Sequence, residues 1–417
     1  MNKRRFLFGG AALAVGAGAA AAWRYWPEQG IWNPCLAQLP RHLATHELVT
    51  AAWDGIDPAQ AWDSHAHLIG TGDSDSGIYV NPATQSVLNL GQYARRLFFL
   101  NAGCAHDSGG GVDRAYVARM RNLVDGWNPA GRKGAKLLLF AFERAHGEDG
   151  APDLEHTTFY VPDSYARDVV RAYPDYFEWA ASIHPYAKDA LARLAQAKRD
   201  GARAVKWLPP AMGIDPASPR CRKFFEAMRS LDLPLISHAG EERAVLGREL
   251  HDLGNPLRLR RALDAGVRVV VAHCASMGED RDLDRGESGP YVESFSLFVR
   301  LFEKYPNCYA DISAMTQANR AGPALARVIE SESWHARLLN GSDYPLPGVL
   351  PIISVDYLVS LGLLKEESAP VLKEIRLHNP LLFDFVAKRA LRSNGRALSA
   401  RIFETRGFFM RSSRHVG

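Results

Sequence analysis

Residues 256–273 read Pro256-Leu257-Arg258-Leu259-Arg260-Arg261-Ala262-Leu263-Asp264-Ala265-Gly266-Val267-Arg268-Val269-Val270-Val271-Ala272-His273, and this stretch decides the fold. Leu259, Ala262 and Leu263 recur at the spacing of an amphipathic helix, which predicts a helix over Pro256 to Ala265. Gly266 supplies the stop, because glycine enters the left-handed conformation without a steric cost. The β-branched run that follows predicts a strand over Val267 to His273. A helix feeding at once into a short apolar strand is the signature of a parallel sheet with crossover helices.

The same unit recurs from Trp62 onward. Strands are predicted over Ala61 to Leu68, Ala135 to Glu143, Tyr176 to His184, Ala202 to Leu208, Leu233 to His238, Val267 to His273, Cys308 to Ala314 and Arg337 to Asp343. Helices over Lys188 to Arg199, Pro219 to Leu231 and Tyr291 to Lys304 fill further gaps, with Gly201 as another stop. Eight such units in about 330 residues predict an α/β fold closed into a (β/α)8 TIM-type barrel. The rhythm is weakest after the first strand, where residues 69–134 form an insertion with Ser108-Gly109-Gly110-Gly111 and at least two helices. An insertion of that length at a barrel mouth is expected to act as a lid.

Composition narrows the class. With 47% apolar and 23% charged residues the chain can bury a sizeable core, which excludes a disordered or fibrous protein. Fifty Lys+Arg against 46 Asp+Glu leave a net charge of +4, too even for a nucleic-acid partner. Cys35, Cys104, Cys221, Cys274 and Cys308 lack CxxC spacing, which excludes a zinc ribbon or dense disulfide framework and leaves room for one or two bridges.

Residues 1–22 combine Lys3, Arg4 and Arg5 with an apolar stretch rich in Ala and Gly and end in Ala20-Ala21-Ala22, the pattern of an export signal. Arg4-Arg5 followed by Phe6-Leu7 resembles a twin-arginine signal, so the protein is expected in the periplasm. The alternative is an uncleaved inner-membrane anchor, since the apolar run from Phe6 to Trp23 has 18 residues. Residues 23–61 are a lead-in segment, residues 62–392 the barrel, and residues 393–417 a basic extension with five Arg and one Glu, expected to be poorly ordered or peripheral.

Active sites of such barrels form at the C-terminal ends of the strands. The first strand ends Asp63-Ser64-His65-Ala66-His67-Leu68, and alternation puts His65 and His67 on one side, where both imidazoles reach one ion. His238, His273 and Asp343 close the fifth, sixth and eighth strands. A single histidine is more often a hydrogen-bonded structural residue; four imidazoles and a carboxylate at four strand ends point to a metal centre.

These residues carry a resemblance. Asp63-Ser64-His65-Ala66-His67, Ile236-Ser237-His238-Ala239-Gly240, Val271-Ala272-His273 and Gly341-Ser342-Asp343-Tyr344-Pro345, followed by His378-Asn379-Pro380, resemble the amidohydrolase superfamily, and within it the amidohydrolase-related family of metal-dependent hydrolases. The resemblance implies one or two divalent ions, usually zinc, and an activated water. It makes His65, His67 and His238 metal ligands and Asp343 a ligand that also takes the proton from water. It leaves His273 either as a ligand to a second ion or as a hydrogen-bonding catalytic group. It leaves Lys206 either carboxylated and bridging two ions or a bare cation for an anionic substrate.

Arg144, His184 and Trp207 stand near strand ends as candidate substrate contacts, as do Glu143, Glu241 and Glu242. The acidic run from Gly278 to Glu287 lacks the EF-hand spacing and reads as a solvated loop. Three functions compete: hydrolysis of an amide, lactone or ester of a small molecule; non-oxidative decarboxylation on the same metal set, as in relatives resembling aminocarboxymuconate-semialdehyde decarboxylase; and non-catalytic binding of a metal or ligand by an exported barrel. A nicotinamide enzyme is disfavoured because no GxGxxG opens a βαβ unit. Assembly into a homo-oligomer is left open. Replacing Arg4 and Arg5 by Lys in a fusion of residues 1–30 to a reporter should abolish export, as read by periplasmic fractionation; continued transport rejects the twin-arginine reading.

Overall fold

A computed structural model describes residues 32–105, 109–243, 245, 250–286 and 288–411. The expected signal over residues 1–22, and Ser108 of the glycine cluster, lie outside the described residues. Eight parallel strands form the frame: β1 (Trp62–His67), β2 (Lys136–Phe140), β3 (Phe177–Ala180), β4 (Val205–Trp207), β5 (Leu235–Ser237), β6 (Val269–Val271), β7 (Cys308–Asp311) and β8 (Leu338–Leu339). Strands β1 to β3 pair in chain order, as do β4 to β8. Parallel bridges at Ala181–Val205 and Ala66–Tyr344 join the two runs at both seams. At the second seam Ser64 N–H donates to the Asn340 carbonyl (2.9 Å), Asp343 N–H to that of His65 (2.8 Å) and His67 N–H to that of Tyr344 (2.9 Å). The ring is therefore closed, as the eightfold pattern predicts.

Each strand lies inside its predicted span but is shorter. The trimmed residues bend out of the ladder to carry loops: His273 (φ 55°) and Asp343 (φ 61°) take the left-handed conformation, which ordinary side chains adopt only under constraint. Alternation then sorts the side chains. Trp62, Leu138, Phe140, Ala180, Ala204, Ile236, Val270 and Leu339 pack together as one cluster inside the barrel, while Leu137, Leu139, Val205, Trp207, Val269 and Val271 join the larger core beneath the helices.

The insertion divides its work. Helix α1 (Leu90–Ala102) lies over the mouth, and α2 (Val112–Trp127) buries Tyr116, Val117, Met120, Leu123, Val124 and Trp127 against the barrel as an ordinary crossover helix. A disulfide joins Cys35 in the lead-in segment to Cys104 just after α1, and Asn33 N–H donates to Asn101 Oδ1 at 2.7 Å beside it. Cys221, Cys274 and Cys308 are free and buried.

Two expectations need correction. Tyr291 does not start a helix: Tyr291–Glu293 is a strand paired antiparallel with Glu279–Arg281, so part of the acidic run is a hairpin leg, and the helix begins at Ser294. Asp282 in that run is buried and paired with Arg300 at 3.0 Å. The basic tail is not peripheral either. Ile402, Phe403, Phe408 and Phe409 are buried, and the last two belong to the cluster inside the barrel, with Phe409 stacked on Trp62 (ring centroids 6.3 Å apart). Four buried apolar side chains outweigh the surrounding arginines, whose charged heads remain at the surface. Phe409→Ala should cost about 3 kcal/mol, seen as a lower denaturant midpoint with unchanged slope.

Candidate metal centre

The pleat of β1 sends His65 and His67 to the same side, as the His-x-His spacing predicts, with ring centroids 5.3 Å apart. The β1–β8 seam brings Asp343 onto them: its Oδ1 lies 3.3 Å from His65 Nε2 and 3.1 Å from His67 Nε2. Gly341 permits this approach, since a Cβ there would stand 2.5 Å from the Cβ of His65. His273, beyond β6, places Nε2 3.9 Å from the other Asp343 oxygen, and its ring lies 4.9 Å from that of His65 and 5.5 Å from that of His238. Lys206 points inward from β4, with Nζ 3.1 Å from His65 Nε2 and over the ring of Phe140. All six side chains singled out for metal or catalysis line one cavity of about 150 Å³.

Polar neighbours fix how the imidazoles face it. Asp311, at the end of β7, accepts from His65 Nδ1–H at 2.9 Å on one oxygen, and from the backbone N–H of His273 (3.0 Å) and Ser313 (3.1 Å) on the other. His273 Nδ1 lies 3.1 Å from the Ser313 carbonyl, and His238 Nδ1 3.4 Å from Glu242 Oε2. With Nδ1 protonated against these acceptors, each of the three rings turns Nε2 into the cavity. The sequence reading missed Asp311: one carboxylate inside a predicted strand carries no motif, and only a second alternation count, placing it inward at the end of β7, marks it.

The electrostatics are those of a site built around positive charge. Burial disfavours ionisation of Asp343 and Asp311, yet His65 and His273 beside them hold both carboxyls well below the usual range. Burial pushes His65 down to about 4 and Lys206 down to about 8. Asp63, with Oδ1 accepting from the backbone N–H of His65 and Ser342, is raised to about 7 by burial.

Three predicted contacts fall elsewhere. Trp207 faces outward, donating from Nε1 to the Ile183 carbonyl and packing on Phe224 and Phe225, because the residue after an inward Lys206 must point to the helices. His184 is spoken for: Nδ1 accepts from Tyr186 N–H, Nε2 donates to the Met212 carbonyl, and the ring stacks on His146. Arg144 lies over the ring of Tyr160 at 3.5 Å, and neither it nor His184 is among the residues lining the cavity.

The donor set fits a divalent cation. His65, His67 and Asp343 offer three ligand atoms that all lie within 4.8 Å of one another; so do His65, His273 and Asp311. His238 Nε2 is buried with no hydrogen-bond partner, a state that costs free energy unless a positive centre fills it.

The amidohydrolase family model matches residues 135–381, more than half of the chain, and the protein belongs to that family of metal-dependent enzymes. No curated protein matches it. Among solved structures it is similar to an uncharacterised TIM-barrel protein from Bordetella bronchiseptica (16% identity, 72% of this chain and 95% of that one, TM-score 0.45). It is also similar to 5-carboxyvanillate decarboxylase from Sphingomonas paucimobilis (12%, 76% and 98%, 0.42) and to 4-oxalomesaconate hydratase from Rhodopseudomonas palustris (14%, 77% and 96%, 0.39). Asp311→Asn should weaken divalent-metal binding about 10- to 100-fold in a chelator competition titration, because the ring of His65 loses its orienting acceptor.

Proposed function

We propose that the protein is a metal-dependent hydrolase that cleaves an amide, lactone or ester bond of a small molecule. The observation that carries this reading is the convergence of His65 Nε2 and His67 Nε2 on one ionised Asp343 oxygen, at 3.3 and 3.1 Å, at the floor of a cavity. His65, His67, His238 and Asp343 would hold one divalent ion, zinc by the donor chemistry, and His273 with Lys206 could complete a second position, while Asp311 orients His65 from behind. When bound, the cation lowers the pKa of water and polarises the scissile carbonyl.

The rest falls to this chain's own side chains. Asp343 stays a carboxylate and can accept a proton from the attacking water. His273 Nε2, 3.9 Å from its free oxygen, can share that proton and orient the water. As the carbon–oxygen or carbon–nitrogen bond breaks, Asp343 returns the proton to the leaving atom. A second reading, non-oxidative decarboxylation, is favoured by the apolar wall of Phe99, Phe159, Leu208 and Leu346, which suits an aromatic ring. For the cellular setting, the reading of residues 1–22 as an export signal is supported by the Cys35–Cys104 bridge, since such bonds persist in oxidising compartments.

The zinc-loaded protein is to be turned over with a panel of esters, lactones and amides in H2(18)O. One labelled oxygen in the product acid is expected; carbon dioxide release without label would replace hydrolysis by the lyase reading. Asp343→Asn should lower turnover on the order of 100- to 10,000-fold while metal is retained, whereas His65→Asn and His67→Asn should empty the site.

A further inference from the structure

The lid helix brings a cation of its own to the cavity. Arg95 and Arg96, with Gln92 and Phe99, project from α1 onto the walls of the cavity that holds His273 and Asp343. Arg95 also lines an adjoining cavity that reaches the same two residues from the other side of the helix. Its Nη1 is sealed from solvent and has no hydrogen-bond partner, and among the described residues no carboxylate lies within ion-pair distance of it. The acids nearby are engaged elsewhere: Asp343 lies against His65 and His67, and Glu242 against His238.

Although the Arg95 side chain is only partly buried, a guanidinium N–H sealed from water without an acceptor is costly, and an acceptor that arrives with the ligand makes good the loss. We propose that Arg95 is a specificity-determining residue that binds a carboxylate of the substrate remote from the bond that reacts, so that the substrate is an organic acid gripped between lid and metal centre. This rests on the reading of the cavity as the active site. The guanidinium fork matches a carboxylate in two parallel hydrogen bonds, and the apolar wall beside it accepts the carbon skeleton. Arg144, the sequence-based candidate for this role, lies over Tyr160 outside the cavity walls.

The test is calorimetric titration of the purified protein, zinc-loaded and chelator-stripped, with benzoate, phthalate, benzamide and inorganic phosphate. Benzoate or phthalate should bind both forms more tightly than benzamide, and Arg95→Gln should weaken carboxylate binding about ten- to a hundredfold. Arg95→Lys should keep part of the affinity, Arg144→Gln should leave it unchanged, and benzamide binding should not respond to Arg95. Circular dichroism melts establish that the variants are folded. Equal carboxylate affinity in wild type and Arg95→Gln overturns the proposal, as does tighter binding of phosphate than of either carboxylate. Because the stripped protein reports on Arg95 without metal, failure here is separable from failure of the hydrolase reading, which isotope incorporation decides.

Discussion

Three backbone hydrogen bonds between the first and last strand regions, at Ser64–Asn340, His65–Asp343 and His67–Tyr344, hold the rest of the structure in place. They close the ring, and the same contacts set Asp343 against both histidines of β1. Fold and site are thus one constraint: a barrel that failed to close at this seam would have neither an interior cluster nor a ligand set. The left-handed conformations of Asp343 and His273 are tolerated because hydrogen bonds fix both ends, from Asp343 N–H to the His65 carbonyl and from His273 N–H to Asp311.

Much of this was legible in the chain. Helix–glycine–strand units such as 256–273 carry their periodicity locally, so all eight strands fall within their expected spans, and Gly266 takes the positive φ its position requires. His65, His67, His238, His273, Lys206 and Asp343 were readable because each lies near or just beyond the C-terminal end of a strand, and those ends meet at one rim. The losses have physical reasons. Trp207 and His184 were misplaced because direction depends on alternation counted from an inward neighbour. Asp311 acts through His65 and His273, so no spacing announces it. The role of Phe408 and Phe409 depends on a long-range contact with Trp62 that a local reading of an arginine-rich tail does not reveal.

The insertion shows how such a barrel acquires a preference. The frame supplies acceptor atoms at the floor, and α1, tied at its end through Cys104 to the lead-in segment, supplies the cations of the roof. Separating the two lets the floor stay constant while the roof varies, since lid residues carry no part of the strand ladder.

The buried Phe408 and Phe409 also set the order in which the molecule can be made. They fill space beneath β1, next to Trp62, so the floor is sealed only when a segment far along the chain docks against the first barrel strand. Sealing the floor is therefore a long-range step, which loop-closure entropy makes slower than the pairing of strands that follow one another in the chain.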